Sequence, residues 1–326
     1  MEHKFSTKKL ETKGFDLNAT LSPINQISPF IHRGMNPTDL EWVPVFQGGF
    51  DSISQFSYFE KTLQYMLENF NFKFCIVSTF QLKPEIEEAY ERSDLKSYIK
   101  KTETRDPGKL NAPWAPNFLR QIHNTHEGLR YAQELGFQRA IKIRIDQRFQ
   151  NVDALVGISW IIDEFPSFSE KTKGRVVGSS FNTFKTLPLF LSDCLMFGYT
   201  SDLISYWTPV DREKIPNLAT QMSERTGLDP KLFRHPEVWL AARYLLLNYP
   251  EKHYSAKESN VKFWSDLAMI VDATAIKHNW QKQPNALKTN YKSTKWFEKS
   301  LDERFGEMTF WDWVTLFGSA SRNRRA

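Results

Sequence analysis

The sequence predicts an α/β fold in which helices cover a mostly parallel sheet. Strand-like and helix-like segments alternate from about Glu41 onward. One strand-like run, Ile141 to Asp146, alternates between isoleucines and charged residues. The chain has 326 residues, of which 40% are hydrophobic and 25% charged. This composition is typical of a packed globular protein and excludes collagen-like, disulfide-scaffold and wholly disordered chains.

The first part of the alternation is a βαβ opening. Apolar β-prone runs at 42–46 and 73–78 flank a segment with helical periodicity at 56–70. We then expect a helix at 84–92, a strand near 98–101 and a long helix from about 117 to 135. Gly136 follows that helix, where a C-terminus favours glycine.

The second part supplies four more elements before the pattern changes. The pattern predicts a strand at 140–145, a helix at 152–164, a short strand at 175–179 and a strand at 190–197. After Trp207 the periodicity is helical, and we expect helices from Pro236 to about Asn248 and at 257–271. Strands joined by helices pair in parallel, so the alternation predicts a mostly parallel sheet.

Three regions follow from these patterns. Residues 1–40 are polar and irregular, residues 41–250 form the α/β domain, and residues 251–326 form a helical C-terminal extension. The end of the extension combines apolar, mostly aromatic residues with a basic tail. These are Phe310, Trp311, Trp313, Leu316 and Phe317, followed by Arg322, Arg324 and Arg325. Such a pattern is compatible with an anionic membrane surface or with a helix that packs on the core.

The longest apolar run, 187–199, is interrupted by Ser192 and Asp193, and the first twenty residues lack the apolar core of a secretory signal. We therefore expect a cytoplasmic protein, with peripheral contact to the inner face of the cytoplasmic membrane as an alternative, and reduced thiols at Cys75 and Cys194. The 43 Lys and Arg against 38 Asp and Glu give a net charge of +5, which favours an anionic partner. No RNP or helix-turn-helix motif indicates nucleic acid.

Two segments place charge where apolar residues are expected. In the strand 141–146, Lys142, Arg144 and Asp146 share one face, which is costly in a covered sheet unless the charges pair or meet a ligand. The alternative is an edge strand with a solvated Arg–Asp pair. In the second segment, Asp193 is the one carboxylate in an apolar run, so it is either bonded structurally or placed for acid–base or metal chemistry.

Three weaker signals accompany them. The first strand runs into Gln47, Gly48 and Gly49, where glycine allows close approach of a phosphate. The helix that follows Asn117 carries polar residues on one face, and Glu237 lies in the first turn of a helix, where the dipole favours a carboxylate. No P-loop lysine motif, paired CxxC or HExxH is present.

Together these segments resemble the WavE-like family of bacterial surface-polysaccharide and lipopolysaccharide glycosyltransferases. The resemblance rests on the order of several motifs between Glu41 and Asn248. They are VFQGG at 45–49, IVST at 76–79, NFLRQIHNTHEGL at 117–129, IKIRID at 141–146, SDCLMFG at 192–198, and Pro236-Glu237.

The resemblance implies a GT-A-like, Rossmann-related fold and a hexosyltransferase that uses a nucleotide-diphospho-sugar donor and a glycan or lipid-linked glycan acceptor. Asp146 then corresponds to the carboxylate that holds Mn²⁺ or Mg²⁺ against the donor diphosphate, with Arg144 neutralising phosphate. The other implied donor-binding residues are Gln47, Gly48, Arg120 and Gln121. Asp193 or Glu237 is the candidate base for the acceptor hydroxyl, and we favour Asp193.

Two other functions remain open on the sequence. A degenerate transferase that only binds glycan or nucleotide sugar carries the same motifs. A nucleotide-sugar hydrolase, in which water replaces the acceptor, differs from a transferase only in geometry that sequence does not display.

Overall fold

A seven-stranded mixed sheet carries the fold. The computed structural model describes residues 42–70, 72–111, 117–281 and 306–323, the last of these with side chains to residue 318. The strands of this sheet are β1 Trp42–Gln47, β2 Cys75–Thr79, β3 Ile99–Glu103, β4 Arg139–Arg144, β6 Val176–Ser179, β7 Leu195–Tyr199 and β8 Ala268–Val271. Their order is β3-β2-β1-β4-β7-β6-β8. All neighbours are parallel except β7, which is antiparallel to β4 and β6.

Helices cover the sheet and a small second sheet lies beside it. The helices are α1 Ile53–Phe70, α2 Pro84–Arg92, α3 Phe118–Glu134, α4 Ala154–Glu164, α5 Thr200–Tyr206, α6 Ile215–Thr226, α7 Pro236–Asn248, α8 Ala256–Lys262 and α9 Phe310–Asn323. Strands β5 Gln147–Arg148 and β9 Asn279–Trp280 form an antiparallel pair. The predicted class, a mostly parallel α/β sheet covered by helices, is confirmed.

Close helix–sheet packing fixes the position of α3. A Cβ added at Gly128 would lie 2.6 Å from Val45 and 2.8 Å from the side chain of Ser78. Glycine therefore lets this helix lie directly on β1 and β2, whose side chains are buried there. The first residues of α3, which carry several candidate site residues, are held at one edge of the sheet as a result.

The strand predicted at 190–197 begins later than expected. Leu189 has a positive φ of 58°, and the N–H of Leu191 bonds back to the carbonyl of Leu189 at 3.1 Å. The chain turns there, and the N–H of Ser192 bonds to the Thr183 hydroxyl instead of a strand ladder. Only Leu195–Tyr199 is strand, so Asp193 lies in a buried loop that enters β7.

The helix predicted at 257–271 is also wrong beyond residue 262. α8 ends at Lys262, a π-helical turn covers Phe263–Leu267, and Ala268–Val271 pairs with β6 as an edge strand. Periodicity alone does not separate a short buried strand from a buried helix. The region expected to be a helical extension from residue 251 thus also contributes a strand, and residue 250 does not separate the sheet from it.

The aromatic C-terminal helix packs on the core. Phe310 and Trp313 of α9 are buried, and the indole N–H of Trp313 donates to the carbonyls of Trp264 and Ala268, each at 2.8 Å. These contacts favour the packing alternative for this helix. The expected arm at 1–40, the Arg322 side chain, Arg324 and Arg325 lie outside the described residues. Among those that are described, no helix is long and apolar enough to cross a membrane.

The end of β1 supplies a test of the fold. Gly48 has φ +132° and a Cβ there would lie 3.3 Å from Ile145, whereas a Cβ at the exposed Gly49 would lie 4.0 Å from Thr79. We expect Gly48→Ala to lower the free energy of unfolding by about 1–3 kcal/mol and Gly49→Ala to change it by less than about 0.5 kcal/mol. Urea unfolding measures both, and equal losses would contradict the assigned backbone conformation.

Candidate functional site

The candidate site lies at the sheet edge where β1 and β4 end. Gln47 and Arg144 are partners in register at the ends of these parallel strands. Because β7 runs antiparallel to β4, with Leu195 opposite Ile143, its entry loop reaches the same edge. Strand carboxyl ends are where open α/β sheets bind ligands. The topology thus brings Gln47, Arg144 and Asp193 to one place.

Arg144 and Asp146 form a paired unit. The guanidinium donates from Nε to Oδ1 of Asp146 at 3.1 Å and from Nη2 to Oδ2 at 3.2 Å. The indole N–H of Trp280 donates to Oδ2 at 2.9 Å, and its ring centroid lies 5.5 Å from the guanidinium. Asp146 is 1% exposed, whereas the Arg144 side chain is 30% exposed. Asp146 therefore holds Arg144 in place, and Arg144 is the member that reaches solvent.

The charged face of β4 is not the solvated edge that the alternative interpretation required. β4 lies in the middle of the sheet, and Lys142 is fully buried. Its ammonium donates to the main-chain carbonyl of Asp193 and lies 4.9 Å from the ring centroid of Trp207. Burial lowers the pKa of Lys142 to about 8, against the opposing effect of the Asp193 carboxylate. A cation so placed adds positive potential beneath Arg144.

Asp193 is held from the opposite side by α3. Its carboxylate accepts a hydrogen bond from the Gln121 side chain, and the residue is 5% exposed. The main chain of the same residue accepts from Lys142. Asp193 thus connects the loop before β7 to β4 and to the start of α3. A carboxylate in apolar surroundings needs a hydrogen-bond partner, and Gln121 is that partner.

Glu237, in the first turn of α7, is the second carboxyl near this loop. Burial and, to a smaller extent, the Asp193 carboxylate raise its pKa to about 8, while Lys142 and Arg144 act in the opposite direction. The Tyr206 hydroxyl is also buried beside both carboxyls, and burial raises its pKa well above the usual value. A buried carboxyl whose pKa lies near neutral pH is suited to acid–base chemistry.

The two cysteines are unsuited to nucleophilic chemistry. Cys194 lies next to Asp193, and burial together with that carboxylate raises the pKa of its thiol to about 11. Burial likewise raises the pKa of the Cys75 thiol. Both are free and buried. Thiols that resist ionisation are inert at neutral pH.

Arg120 is not brought into this cluster. Its guanidinium forms an ion pair with Asp106, with Nε 2.8 Å from Oδ1, and stacks 5.7 Å from the Phe80 ring centroid. Its guanidinium lies beside Phe80, which follows β2, and beside Asp106, which follows β3. Gly48 lies close to Arg144 and Asp146, because its Cα faces Ile145, the residue between them. Its N–H bonds to the Ser78 carbonyl of β2 at 3.2 Å.

Sequence reasoning missed the aromatic and histidine residues that surround the charges. Trp280 and His278 come from the segment that pairs with β5, and Trp207 follows α5. His278 is buried beside Ser179, with Nδ1 3.1 Å from the hydroxyl, and burial lowers its pKa to about 3. No local pattern marks these residues, because they reach β4 only through contacts between segments that are far apart along the chain.

The residues around Asp146 do not fit the expected Mn²⁺ or Mg²⁺ ion. These ions take several oxygen ligands at once. Both oxygens of Asp146 already accept hydrogen bonds from Arg144 or Trp280. Within the described ranges no group of three His, Cys, Asp or Glu side chains is placed to hold a metal.

Comparison with known proteins gives no family assignment. No protein-family model matches the chain, and no curated protein matches it in sequence. Three solved structures have a distant likeness to this chain. A nucleoside-diphosphate-sugar pyrophosphorylase from Vibrio cholerae RC9 has 11% sequence identity and a TM-score of 0.36, and the match covers 77% of this chain and 100% of that chain. A protein assigned as a glucose-1-phosphate thymidylyltransferase from Bacillus anthracis, in complex with sucrose, has 10% identity, a TM-score of 0.35 and coverage of 79% of this chain and 99% of that chain, and an active-site mutant of LgtC has 7% identity, a TM-score of 0.33 and coverage of 72% and 73%. Likeness at this level carries no information about this chain's substrate.

The raised pKa of Glu237 gives a test of the buried cluster. Its pKa of about 8 exceeds the ordinary value of 4.5, so between these pH values the unfolded chain has lost a proton that the folded chain keeps. The free energy of unfolding then falls as pH rises, by up to about 1.4 kcal/mol per pH unit for one proton. We expect Glu237→Gln to remove this contribution and flatten the dependence between pH 5 and 8.

Urea titrations at pH 5, 6, 7 and 8 measure this difference. Glu251→Gln, at an exposed position, is the matched control and should follow the wild-type curve. Parallel curves for wild type and Glu237→Gln would show that Glu237 is not buried in its protonated form.

Proposed function

We propose that the protein is a glycosyltransferase that moves a sugar from a nucleotide-diphospho-sugar donor to a lipopolysaccharide or other surface-glycan acceptor. The observation that carries the proposal is the set of opposite charges at one sheet edge. A half-buried guanidinium, Arg144, lies in the same buried network as two carboxyls, Asp193 and Glu237. A cation for the leaving diphosphate and a carboxylate for the acceptor are the two groups that sugar transfer requires.

The donor end of the site is Arg144 and the end of β1. Negative charge develops on the diphosphate as its bond to the sugar breaks, and a fixed cation stabilises that charge. Gln47 is in register with Arg144, and the positive φ of the next residue, Gly48, turns the backbone at the strand end. The nucleoside then lies over β1, with the diphosphate directed toward β4.

The acceptor end of the site is Asp193, oriented by Gln121. In the transfer step the acceptor oxygen bonds to the anomeric carbon, the carbon–oxygen bond to the diphosphate breaks with its electron pair, and Asp193 takes the hydroxyl proton. Gln121 donates to the same carboxylate and so fixes its orientation. Glu237 carries a proton near neutral pH, so it adds no negative charge beside Asp193.

The resemblance of the ordered motifs to those of the WavE-like family supports a surface-glycan acceptor. That acceptor class places the reaction at the inner face of the cytoplasmic membrane, with the protein in peripheral contact. The alternatives are a nucleotide-sugar hydrolase and a non-catalytic protein that binds glycan or nucleotide sugar. Each predicts a different outcome in one assay.

The test is release of nucleotide from a panel of UDP-, GDP-, dTDP- and CMP-sugars, with and without purified lipopolysaccharide. We expect one donor to release nucleotide only when the acceptor is present. Release without acceptor would identify a hydrolase, and binding of a nucleotide sugar without release would identify a binding protein.

Asp193→Asn tests the base within that assay. We expect kcat to fall about 10²- to 10⁴-fold with little change in affinity for the nucleoside diphosphate, because Asp193 acts on the acceptor. Asp163→Asn is the matched control, since that carboxylate lies on α4 with its side chain 53% exposed. Full transfer activity in Asp193→Asn would overturn the base assignment.

A further inference from the structure

A metal ion at Asp146 would compete with the hydrogen bonds that this carboxylate already accepts. Two of these bonds join Asp146 to Arg144 and another joins it to the Trp280 indole. A carboxylate–guanidinium pair with two N–H···O contacts is among the stronger polar interactions in proteins. Asp146 is also 1% exposed. A divalent ion at its oxygens would therefore weaken this pair, and it would lie beside two cations, Arg144 and Lys142.

In the part of the chain that the structure describes, Asp193 is not free to replace Asp146 as a ligand. The Asp193 carboxylate is bonded to Gln121, and its carbonyl is bonded to Lys142. Magnesium and manganese need a near-octahedral set of oxygens, of which the protein usually supplies one or two carboxylates free to bind. The polar groups that face this edge of the sheet from β4 are instead two cations.

Arg144 has the donors that a diphosphate needs. A guanidinium has five N–H donors in a planar fork, and the two contacts with Asp146 leave three that make no bond to that residue. The side chain is 30% exposed, so a ligand at this edge of the sheet can reach part of it. The Trp280 ring, 5.5 Å away, stacks against the guanidinium and restricts its rotation. The fork is thus oriented before any ligand arrives.

We propose that Arg144, held by Asp146 and Trp280, binds the donor's diphosphate directly and that this binding needs no divalent cation. The inference rests on the proposed function and deepens it. Asp146 is then a positioning residue for Arg144. Lys142, which has no exposed surface, contributes only its charge.

Calorimetric titration with UDP, GDP, dTDP and CMP in EDTA, repeated with Mn²⁺, tests the proposal. We expect one nucleotide to bind with a Kd that changes by less than about threefold between the two conditions. Arg144→Gln should weaken that binding in EDTA by about tenfold to a hundredfold, because it removes a charge-assisted contact. Arg130→Gln, a residue of α3 with its side chain 52% exposed, is the matched control and should bind as wild type.

Two further variants keep the test decisive if Arg144→Gln does not fold. Arg144→Lys keeps the charge but loses the fork, so we expect an intermediate loss. Asp146→Asn should weaken binding of the nucleoside diphosphate in EDTA while leaving affinity for the free nucleoside unchanged, since only the phosphate contact depends on Arg144. A merely structural role for Asp146 would weaken both ligands equally.

The outcomes separate this inference from the proposed function. Binding that appears only with Mn²⁺ and is lost in Asp146→Asn would overturn the inference and leave the nucleotide-sugar function standing. Binding in EDTA that is unaffected at Arg144 would also overturn it. Failure of every nucleotide to bind under both conditions would overturn the proposed function itself.

Discussion

The buried ammonium of Lys142 is the constraint on which the rest of the site depends. A cation in the middle of a sheet is strongly destabilising unless polar groups replace its water. Here the Asp193 carbonyl and the Trp207 ring do so. The carbonyl is available because the chain turns at Leu189 and delays the start of β7 until Leu195. A regular strand from 190 to 197 would have used that carbonyl in the sheet ladder.

The same arrangement gives the two carboxyls different roles. Asp193, bonded by Gln121 and close to Lys142, lies where negative charge is compensated. Glu237 lies close to Asp193 in a buried position, so burial and that neighbouring carboxylate both favour its protonated form. The two side chains carry the same carboxyl group, so the difference between them comes from their positions in the fold. An acceptor hydroxyl that reaches this edge would meet two carboxyl groups, of which Glu237 is held in its protonated form.

The sequence predicted those features that depend on local pattern. The helices at 84–92 and 236–248 match α2 and α7 in their bounds because proline and periodicity mark them. Charged residues in apolar surroundings pointed to Arg144, Asp146 and Asp193, which the structure brings together. Prediction failed where the secondary structure of a segment depends on a pairing partner far away in the sequence. β8 is a strand because β6 lies beside it, and its four apolar residues do not reveal this.

The same limit applies to the partners of Asp146. Nothing near Trp280 in the sequence indicates that its indole binds this carboxylate, 134 positions away. Without that contact, and with the Arg144 bonds unknown, a lone Asp after a strand looks like a metal ligand. Arg120 is a further example, because its guanidinium pairs with Asp106, which follows β3, and no local pattern in the sequence indicates this pair.

A crystal structure of the protein grown in EDTA with the nucleoside diphosphate that it binds would test the central claim most directly. The account predicts phosphate oxygens within hydrogen-bonding distance of the Arg144 guanidinium, with Asp146 still bonded to Arg144 and to Trp280. A diphosphate bound away from Arg144 would contradict it. So would a parallel crystal grown in Mn²⁺ in which an ion separates Asp146 from Arg144 and bridges that carboxylate to the phosphates.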